Sequence, residues 1–586
     1  MSGAPASDAA AELLVELVAH GVRDLVLSPG SRSQALALAA TSLARTGALR
    51  VHVRIDERVA GFTALGLARE SRVPVAVLCT SGTAAGNLLP ATMEAFHAGI
   101  PLLLLTADRP PELRGVGANQ ATMQPGIFGP FVRLHVDAEV PGAPRASHIS
   151  DGTRAEQRVA DGHAGEAAAG LRVPTRCTAW AGLAERAVRA ALGLDGDGLP
   201  GVAGPVHLNL PTREPLSAAA EVIATPGDAP KAALAEPVRL PRGPRTIVVA
   251  GADAGTDAEE LSHAGSWPLI AEVVSGARFG RLLVHGYRAL LREESLGGRI
   301  ERAVVFGHPT LSREVAALLA RRDVEVVAVR AGGEALNLNG RARAVAAVAV
   351  ESGAADRQWL GEWMTASQES AIDLSAPAPD QKGLYSDDGA ERLGAVRAEL
   401  DAVRRRVDRQ ILTDAVWRAT WPHDRLVFGS SRLVRVADQV LGGKKVPVHA
   451  NRGLAGIDGT VATGIGIALA SQRDGAPGVT RVLLGDLAFL HDVGALLLPG
   501  DEPAPRIQVI VGNDGGGTIF DGLEVASSAP QVDLDRAFYT PHTAQLADLA
   551  AAYGWDFLQV STRSALDQAL TSAISGPQII EVPLER

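Results

Sequence analysis

The chain has 586 residues, 46% apolar and 21% charged, and its 56 basic against 66 acidic side chains give a formal charge of −10. That length exceeds what one hydrophobic core holds and calls for about three or four domains. The negative balance excludes a chain-wide attraction for nucleic acid or anionic lipid, so any anionic substrate has to be captured by locally placed arginines.

The first segment, "MSGAPASDAAAELLVELVAHGV", carries Leu13, Leu14, Leu17 and Val18 at helical spacing and lacks a basic start or an apolar core. It reads as an amphipathic first helix rather than a leader. No run of 18 uninterrupted apolar residues occurs, so no membrane insertion is expected. The two cysteines, Cys79 and Cys177, have no metal-ligand spacing. They fit a reducing, cytoplasmic setting without a disulfide framework.

From there the pattern is βαβ. Apolar runs such as "RDLVLS" (23–28), "VPVAVLC" (73–79) and "IPLLLLTA" (100–107) each end in turn residues and a helical stretch. Such continuous apolar strands predict parallel sheet buried on both faces. Residues 140–175 are weakly patterned and read as loop plus surface helix. "GPVHLNLPTREPL" (204–216) reads as a last strand leaving the first domain, and the Pro- and Ala-rich stretch 220–245 as a linker. A second αβ block runs from 246 to about 350, a polar break covers 370–390, and a charged helix covers 391–410. The parse is an α/β protein of three domains with mainly parallel sheets: 1–216, 217–390 and 391–586.

In the last block, "RVLLGDLAFLHD" and "RIQVIVGNDGGGTIF" are apolar runs that stop at Asp486 and Asn513, 27 residues apart. Residues 479–484 and 506–511 read as strands and 487–498 as the crossover helix. A right-handed βαβ unit places both strand ends on one sheet edge, where open α/β sheets bind ligands. A carboxylate and a carboxamide side by side there suit Mg²⁺ bridging to a diphosphate. They equally suit two ordinary capped turns, and the pattern alone leaves both open. In "VRIDERVAGFTALGLARES", Glu57 follows a strand at the start of a helix, where a glutamate commonly complements the helix dipole. "GTVATGIGIALA" (459–470) is glycine-rich like a dinucleotide loop but lacks the acidic partner downstream, which disfavours NAD. His207 and His491 read as structural histidines, and Cys79 as a small apolar residue.

Taken together, "SPGSRSQAL", "RIDERVAGFTALGLA", "CTSGTAAGN", "LTADRPPELRGVGANQ", "GPVHLNLPTREPL", "ANRGLAGIDG", "GDLAFLHD" and "NDGGGTIF" resemble the thiamine diphosphate-dependent 2-oxo acid enzymes. The resemblance is closest to their menaquinone-pathway branch; it spans the first and last blocks and is weak in the middle one. It implies pyrimidine-binding, middle and diphosphate-binding domains, with sites shared between the subunits of a homodimer or homotetramer. Glu57 would bond the pyrimidine N1′ and promote the imino tautomer that deprotonates the thiazolium. Asp486, Asn513 and the carbonyl of Gly515 or a neighbour would hold Mg²⁺ or Mn²⁺. Ile457, Gly485, Leu487 and Ile519 would border the cofactor.

The implied reaction, a transferase step, decarboxylates 2-oxoglutarate and adds the remaining unit to isochorismate. Arg32, Arg109, Arg435 and Arg452 would bind the substrate carboxylates, with Ser31, Gln120 and Ser431 as polar partners and Arg313 as the middle-domain contribution. Singly, Arg32 and Arg435 read as solvated residues; only the joint match raises them. Two departures stand out: Gly512 occupies a position often Asn in the family, and Thr518 lengthens the glycine-rich run. The alternative within the same cofactor class is another 2-oxo acid decarboxylase or an acetohydroxyacid synthase-like enzyme, which would not need four arginines.

Overall fold

The protein is described from a computed structural model that covers residues 4–142, 179–194, 201–219, 221–231, 235–329 and 332–586. Most of the 140–175 segment and Cys177 lie outside the described residues. The opening helix is Pro5–Ala19, and it buries Leu13, Leu14, Leu17 and Val18. Among the described residues no helix is long and apolar enough to cross a membrane.

Three main sheets organise the chain. In chain order the first holds β1 (Asp24–Leu27), β2 (Arg50–Val53), β3 (Val75–Cys79), β4 (Leu102–Asp108), β5 (Leu134–Asp137) and β6 (Val206–Pro211), arranged β2-β1-β3-β4-β6-β5. The middle block contributes β7 (Val238–Leu240), β8 (Thr246–Ala250), β9 (Leu269–Ala271), β10 (Arg302–Phe306), β11 (Glu325–Val329), β12 (Arg343–Val345) and β13 (Val348–Val350). Its main sheet runs β12-β11-β10-β8-β9, and β13 pairs with β7. The last block holds β14 (Arg425–Phe428), β15 (Val448–Ala450), β16 (Thr480–Gly485), β17 (Ile507–Asn513), β18 (Asp556–Gln559) and β19 (Gln578–Pro583), arranged β15-β14-β16-β17-β19-β18. All the ladders are parallel, and the central strands are buried throughout, which explains their uninterrupted apolar sequences.

The structure corrects several boundaries. The stretch 220–245 is not all linker, because Val238–Leu240 pairs in register with Val348–Val350. β6 is the last strand of the first block, as expected, and it lies inside the sheet between β4 and β5. The helix expected over 391–410 is two helices, Gly389–Arg404 and Arg409–Ala419. The second starts afresh because the Asp408 carboxylate accepts the Ile411 amide at 2.8 Å. The crossover helix is also short. It spans Asp486–His491 and gives way to a tighter turn at Val493–Leu496. Between them Asp492 turns fully inward and accepts the Ala462 amide at 2.9 Å. It thereby caps a helix, Thr460–Ser471, whose own first flanking residue is Gly459.

The first and last sheets share one strand order, and the helix after the second strand of each is the contact between them. These helices are Glu57–Ser71 and Thr460–Ser471. They cross with backbones almost touching. A β-carbon added to Gly66 would stand 2.1 Å from the Thr463 carbonyl oxygen, and one on Gly466 would stand 2.1 Å from that of Thr63. Each helix therefore offers a threonine carbonyl to the glycine three residues on in the other. Of the glycines in 459–470, Gly459 and Gly466 face the Glu57–Ser71 helix at this crossing, and Gly464 packs on Val482 of β16.

A methyl group at either position should force the helices apart. Gly66→Ala or Gly466→Ala should destabilise by about 1–3 kcal/mol. Gly361→Ala, in a helix with nothing within 4 Å of the added carbon, should stabilise by roughly 0.5–1 kcal/mol. Thermal unfolding midpoints moving in opposite directions would check both.

Candidate functional site

The site is built on two sheet edges. In the last block β16 and β17 pair with Gly485 opposite Gly512, so the next residues, Asp486 and Asn513, leave the edge together. Burial leaves Asp486 only 1% exposed and pushes its carboxyl above the usual carboxylate range. Its Oδ1 accepts the Leu487 amide at 2.8 Å, and its Oδ2 accepts the Gly516 amide at 2.8 Å and faces His542 Nε2 at 3.0 Å. Asn513 donates its amide to Glu581 Oε1 at 2.7 Å. This aims its own oxygen the other way, where it accepts the Gly515 amide at 3.1 Å.

Behind these residues the chain turns through Gly515 at φ +73° and Gly516 at φ +150°. A β-carbon on Gly516 would meet the Tyr539 carbonyl at 2.3 Å, so only glycine lets the loop close here. The two family departures have local reasons. A side chain at 512 would come within 2.9 Å of Leu433 and Leu584. Thr518 Oγ1 donates to Asp514, which also takes Arg409 at 2.6 Å, and this closes the lengthened loop.

Ser431, Ile457, Gly485, Asp486, Leu487 and Ile519 line one cleft of about 200 Å³. Asn513 and Gly515 are not lining residues themselves, but their neighbours Gly512, Asp514 and Gly516 are. Among the described residues no group of three His, Cys, Asp or Glu side chains is disposed to hold a metal. The oxygens available are a carboxylate, a carboxamide and backbone carbonyls. That donor set fits a hard cation that takes its remaining ligands from phosphate and water.

In the first block Glu57 opens helix Glu57–Ser71. Asp56 caps that helix by accepting the amides of Arg58 and Val59 at 2.8 and 3.3 Å. Arg58 then donates to the His491 carbonyl at 2.9 Å and lies 3.0 Å from the His491 ring. Within one chain, therefore, the residue after Glu57 reaches the end of the Asp486–His491 helix opposite to Asp486.

A second cluster of side chains joins the other strand ends. Arg109, 5% exposed, donates to the Ser81 hydroxyl. Ser81 in turn donates to the Gln120 carbonyl at 2.9 Å, and the Gln120 amide donates back to the Ser81 carbonyl at 2.9 Å. Burial and then the neighbouring Arg32 push the Arg109 guanidinium down. Two guanidiniums so placed favour an anion between them. Ser31 is exposed in the same loop as Arg32.

Arg452 sits where all three blocks meet. Its Nε and Nη2 donate to the Thr310 hydroxyl and carbonyl at 2.9 and 3.0 Å, and its own carbonyl lies 3.2 Å from His308. The next two amides, of Gly453 and Leu454, donate to Glu94 of the first block at 2.8 Å each. Arg435 is exposed and donates to the Ser431 carbonyl at 3.0 Å. Arg313 is more distant, with a side chain 78% exposed and 3.8 Å from Glu524.

Sequence reasoning passed over His542, Glu581, Arg409 and Glu94. Glu581 left a trace, a lone acid in the apolar strand "QIIEVP". His542 and Arg409 left none. His207, by contrast, is the hydrogen-bonded core histidine expected, 2.8 Å from Thr106 Oγ1.

Comparison with known proteins places this arrangement. Residues 8–127 match the family model of the thiamine pyrophosphate enzyme N-terminal TPP binding domain. A 2-succinyl-5-enolpyruvyl-6-hydroxy-3-cyclohexene-1-carboxylate synthase of Leifsonia xyli subsp. xyli is 51% identical, over 100% of this chain and 97% of its own length. The chain belongs to this synthase family. A Clavibacter michiganensis member is 49% identical over 100% and 97%, and one from Kineococcus radiotolerans is 41% identical over 99% and 96%. The fold is also that of the benzoylformate decarboxylase from Polynucleobacter necessarius, with a TM-score of 0.62 at 14% identity, covering 99% and 98% of the two chains.

If Glu581 orients Asn513 for a cation, Glu581→Ala should weaken Mg²⁺ binding by roughly 10–100-fold. Titration calorimetry of Mg²⁺ into the protein with thiamine diphosphate present would measure it.

Proposed function

We propose that this chain decarboxylates 2-oxoglutarate and adds the resulting succinyl unit to isochorismate. The products would be 2-succinyl-5-enolpyruvyl-6-hydroxy-3-cyclohexene-1-carboxylate and CO₂, made with thiamine diphosphate and Mg²⁺ in menaquinone biosynthesis. The observation that carries this reading is the full-length match at 51% identity, in a chain whose cleft gathers Asp486 with the apolar residues Ile457 and Leu487.

When bound, the cofactor supplies the nucleophilic carbon and the electron sink for loss of CO₂. The chain's residues do the rest. Asp486, Asn513 and a glycine carbonyl at or beside 515 hold the cation that anchors the diphosphate. Ile457 packs on the cofactor's apolar body, and Gly485, Leu487 and Ile519 shape the cleft around it. Glu57 holds a hydrogen bond at the pyrimidine N1′. Arg32, Arg109, Arg435 and Arg452, with Ser31, Gln120 and Ser431, take the substrate carboxylates, and Arg313 joins them from the middle domain. An acidic protein needs such a set because its net charge works against anionic substrates.

Glu57 comes from a second copy of the chain, so the working unit is at least a dimer. Large apolar side chains near the first-block site favour this. Ile55, Val116 and Met123 are 70%, 67% and 91% exposed, and a partner's last domain would cover them.

With thiamine diphosphate and Mg²⁺, the protein should consume 2-oxoglutarate and isochorismate together and leave pyruvate untouched. Turnover of pyruvate with 2-oxoglutarate ignored would sink the assignment. Glu57→Gln should lower kcat by roughly 10²–10⁴-fold with the circular dichroism spectrum unchanged.

A further inference from the structure

Glu272 follows β9 in the middle block and is fully buried. Its two carboxylate oxygens accept the Leu311 and Thr310 amides at 2.7 and 3.1 Å. Thr310 then offers both its hydroxyl and its carbonyl to the guanidinium of Arg452, at 2.9 and 3.0 Å. A chain of hydrogen bonds thus runs from a middle-domain carboxylate, through one threonine, to an arginine of the last domain.

Arg452 is unusual in what it lacks. It is only 4% exposed, yet among the described residues its guanidinium is held by the oxygens of Thr310 rather than by a carboxylate. Its other guanidinium contact, Ser430 Oγ at 3.5 Å, is also neutral. Burial accordingly pushes its pKa down. A buried guanidinium held by neutral acceptors keeps its charge for an incoming anion.

Glu272 is itself in a costly place. Burial and then Asp438 push its carboxyl up to about 8. Asp438 is satisfied separately by the Tyr287 hydroxyl at 2.6 Å, Arg288 at 2.7 Å and the Val273 amide at 2.9 Å. Glu272 would neutralise Arg452 if it touched it directly. Set one residue back, it fixes the peptide that Arg452 grips.

We propose that Glu272 is a positioning residue for the substrate: it holds Thr310, and through Thr310 the Arg452 guanidinium, without consuming the charge that binds a substrate carboxylate. This rests on Arg452 being a substrate arginine. The middle domain would then act on the site through Glu272 and Thr310 from inside the fold.

The test is steady-state kinetics of Glu272→Gln, Thr310→Val, Thr310→Ser, Arg452→Gln and the Glu272→Gln/Thr310→Val double variant, each saturated with thiamine diphosphate and Mg²⁺. Cofactor affinity would be followed in parallel by tryptophan fluorescence. Arg452→Gln should raise the KM of one of the two anionic substrates. Glu272→Gln and Thr310→Val should raise the same KM by about 10-fold, the loss expected when a hydrogen bond to a charged group goes. The double variant should be no worse than the worse single variant. Thr310→Ser should keep the wild-type KM, and cofactor affinity should not move.

If Arg452→Gln raises the KM while Glu272→Gln and Thr310→Val do not, the positioning role is overturned and the substrate reading of Arg452 stands. If Arg452→Gln leaves both KM values alone, the reading of Arg452 falls and the proposal with it. If Glu272→Gln lowers cofactor affinity and both substrate affinities together, its role is general support of the fold, and the proposal is overturned. Should Glu272→Gln fail to fold, Glu272→Asp, whose shorter side chain withdraws from the Thr310 and Leu311 amides, takes its place with the same expected and overturning outcomes.

Discussion

The site depends on the register between two parallel strands. Because Gly485 lies opposite Gly512, Asp486 and Asn513 leave the sheet as neighbours, and a shift of one residue would turn one of them into the core. The surroundings keep that alignment. Glu581 aims the Asn513 carboxamide, while Gly516 and His542 hold one oxygen of Asp486. Asp492 ends the intervening helix after six residues and caps the helix that carries the contact with the first block. One βαβ unit therefore supplies oxygens to the cleft and also fixes the domain packing.

That packing has an internal symmetry. Two sheets of identical strand order meet through equivalent helices, with Thr63 and Gly66 of one opposed to Gly466 and Thr463 of the other. Around this crossing buried charges tie in the middle block. Arg69 pairs with Asp253 at 2.6 Å and lies 3.6 Å from Glu94, and Glu94 takes the two amides that follow Arg452. A buried pair of this kind contributes little net stability but is expensive to break. Its effect here is to place an arginine backbone that three domains share.

Much of this was legible in the sequence. The parallel α/β class followed from uninterrupted apolar strands, and the strand-end positions of Asp486, Asn513 and Glu57 followed from βαβ rhythm. The roles proposed for Arg32 and Arg435 were not legible in that way, since a guanidinium in a turn or on an exposed helix carries no mark of its ligand. What stayed hidden was long-range. His542 reaches Asp486 across 56 residues, and Glu94 reaches Gly453 across 359. No local pattern encodes such pairs. The glycines of 459–470 resemble a dinucleotide loop for a related reason, because a close helix crossing and a phosphate loop demand the same absent side chain. The strand at Val238–Leu240 was masked by the prolines around it.

A crystal structure of the protein with thiamine diphosphate, Mg²⁺ and 2-oxoglutarate tests the central claim most directly. It should place the cation on Asp486 and Asn513, the pyrimidine against Glu57 of a second copy, and a substrate carboxylate on at least one of Arg32, Arg109, Arg435 and Arg452. A diphosphate bound away from the β16–β17 edge, or a site completed by Glu57 of the same chain, would contradict it.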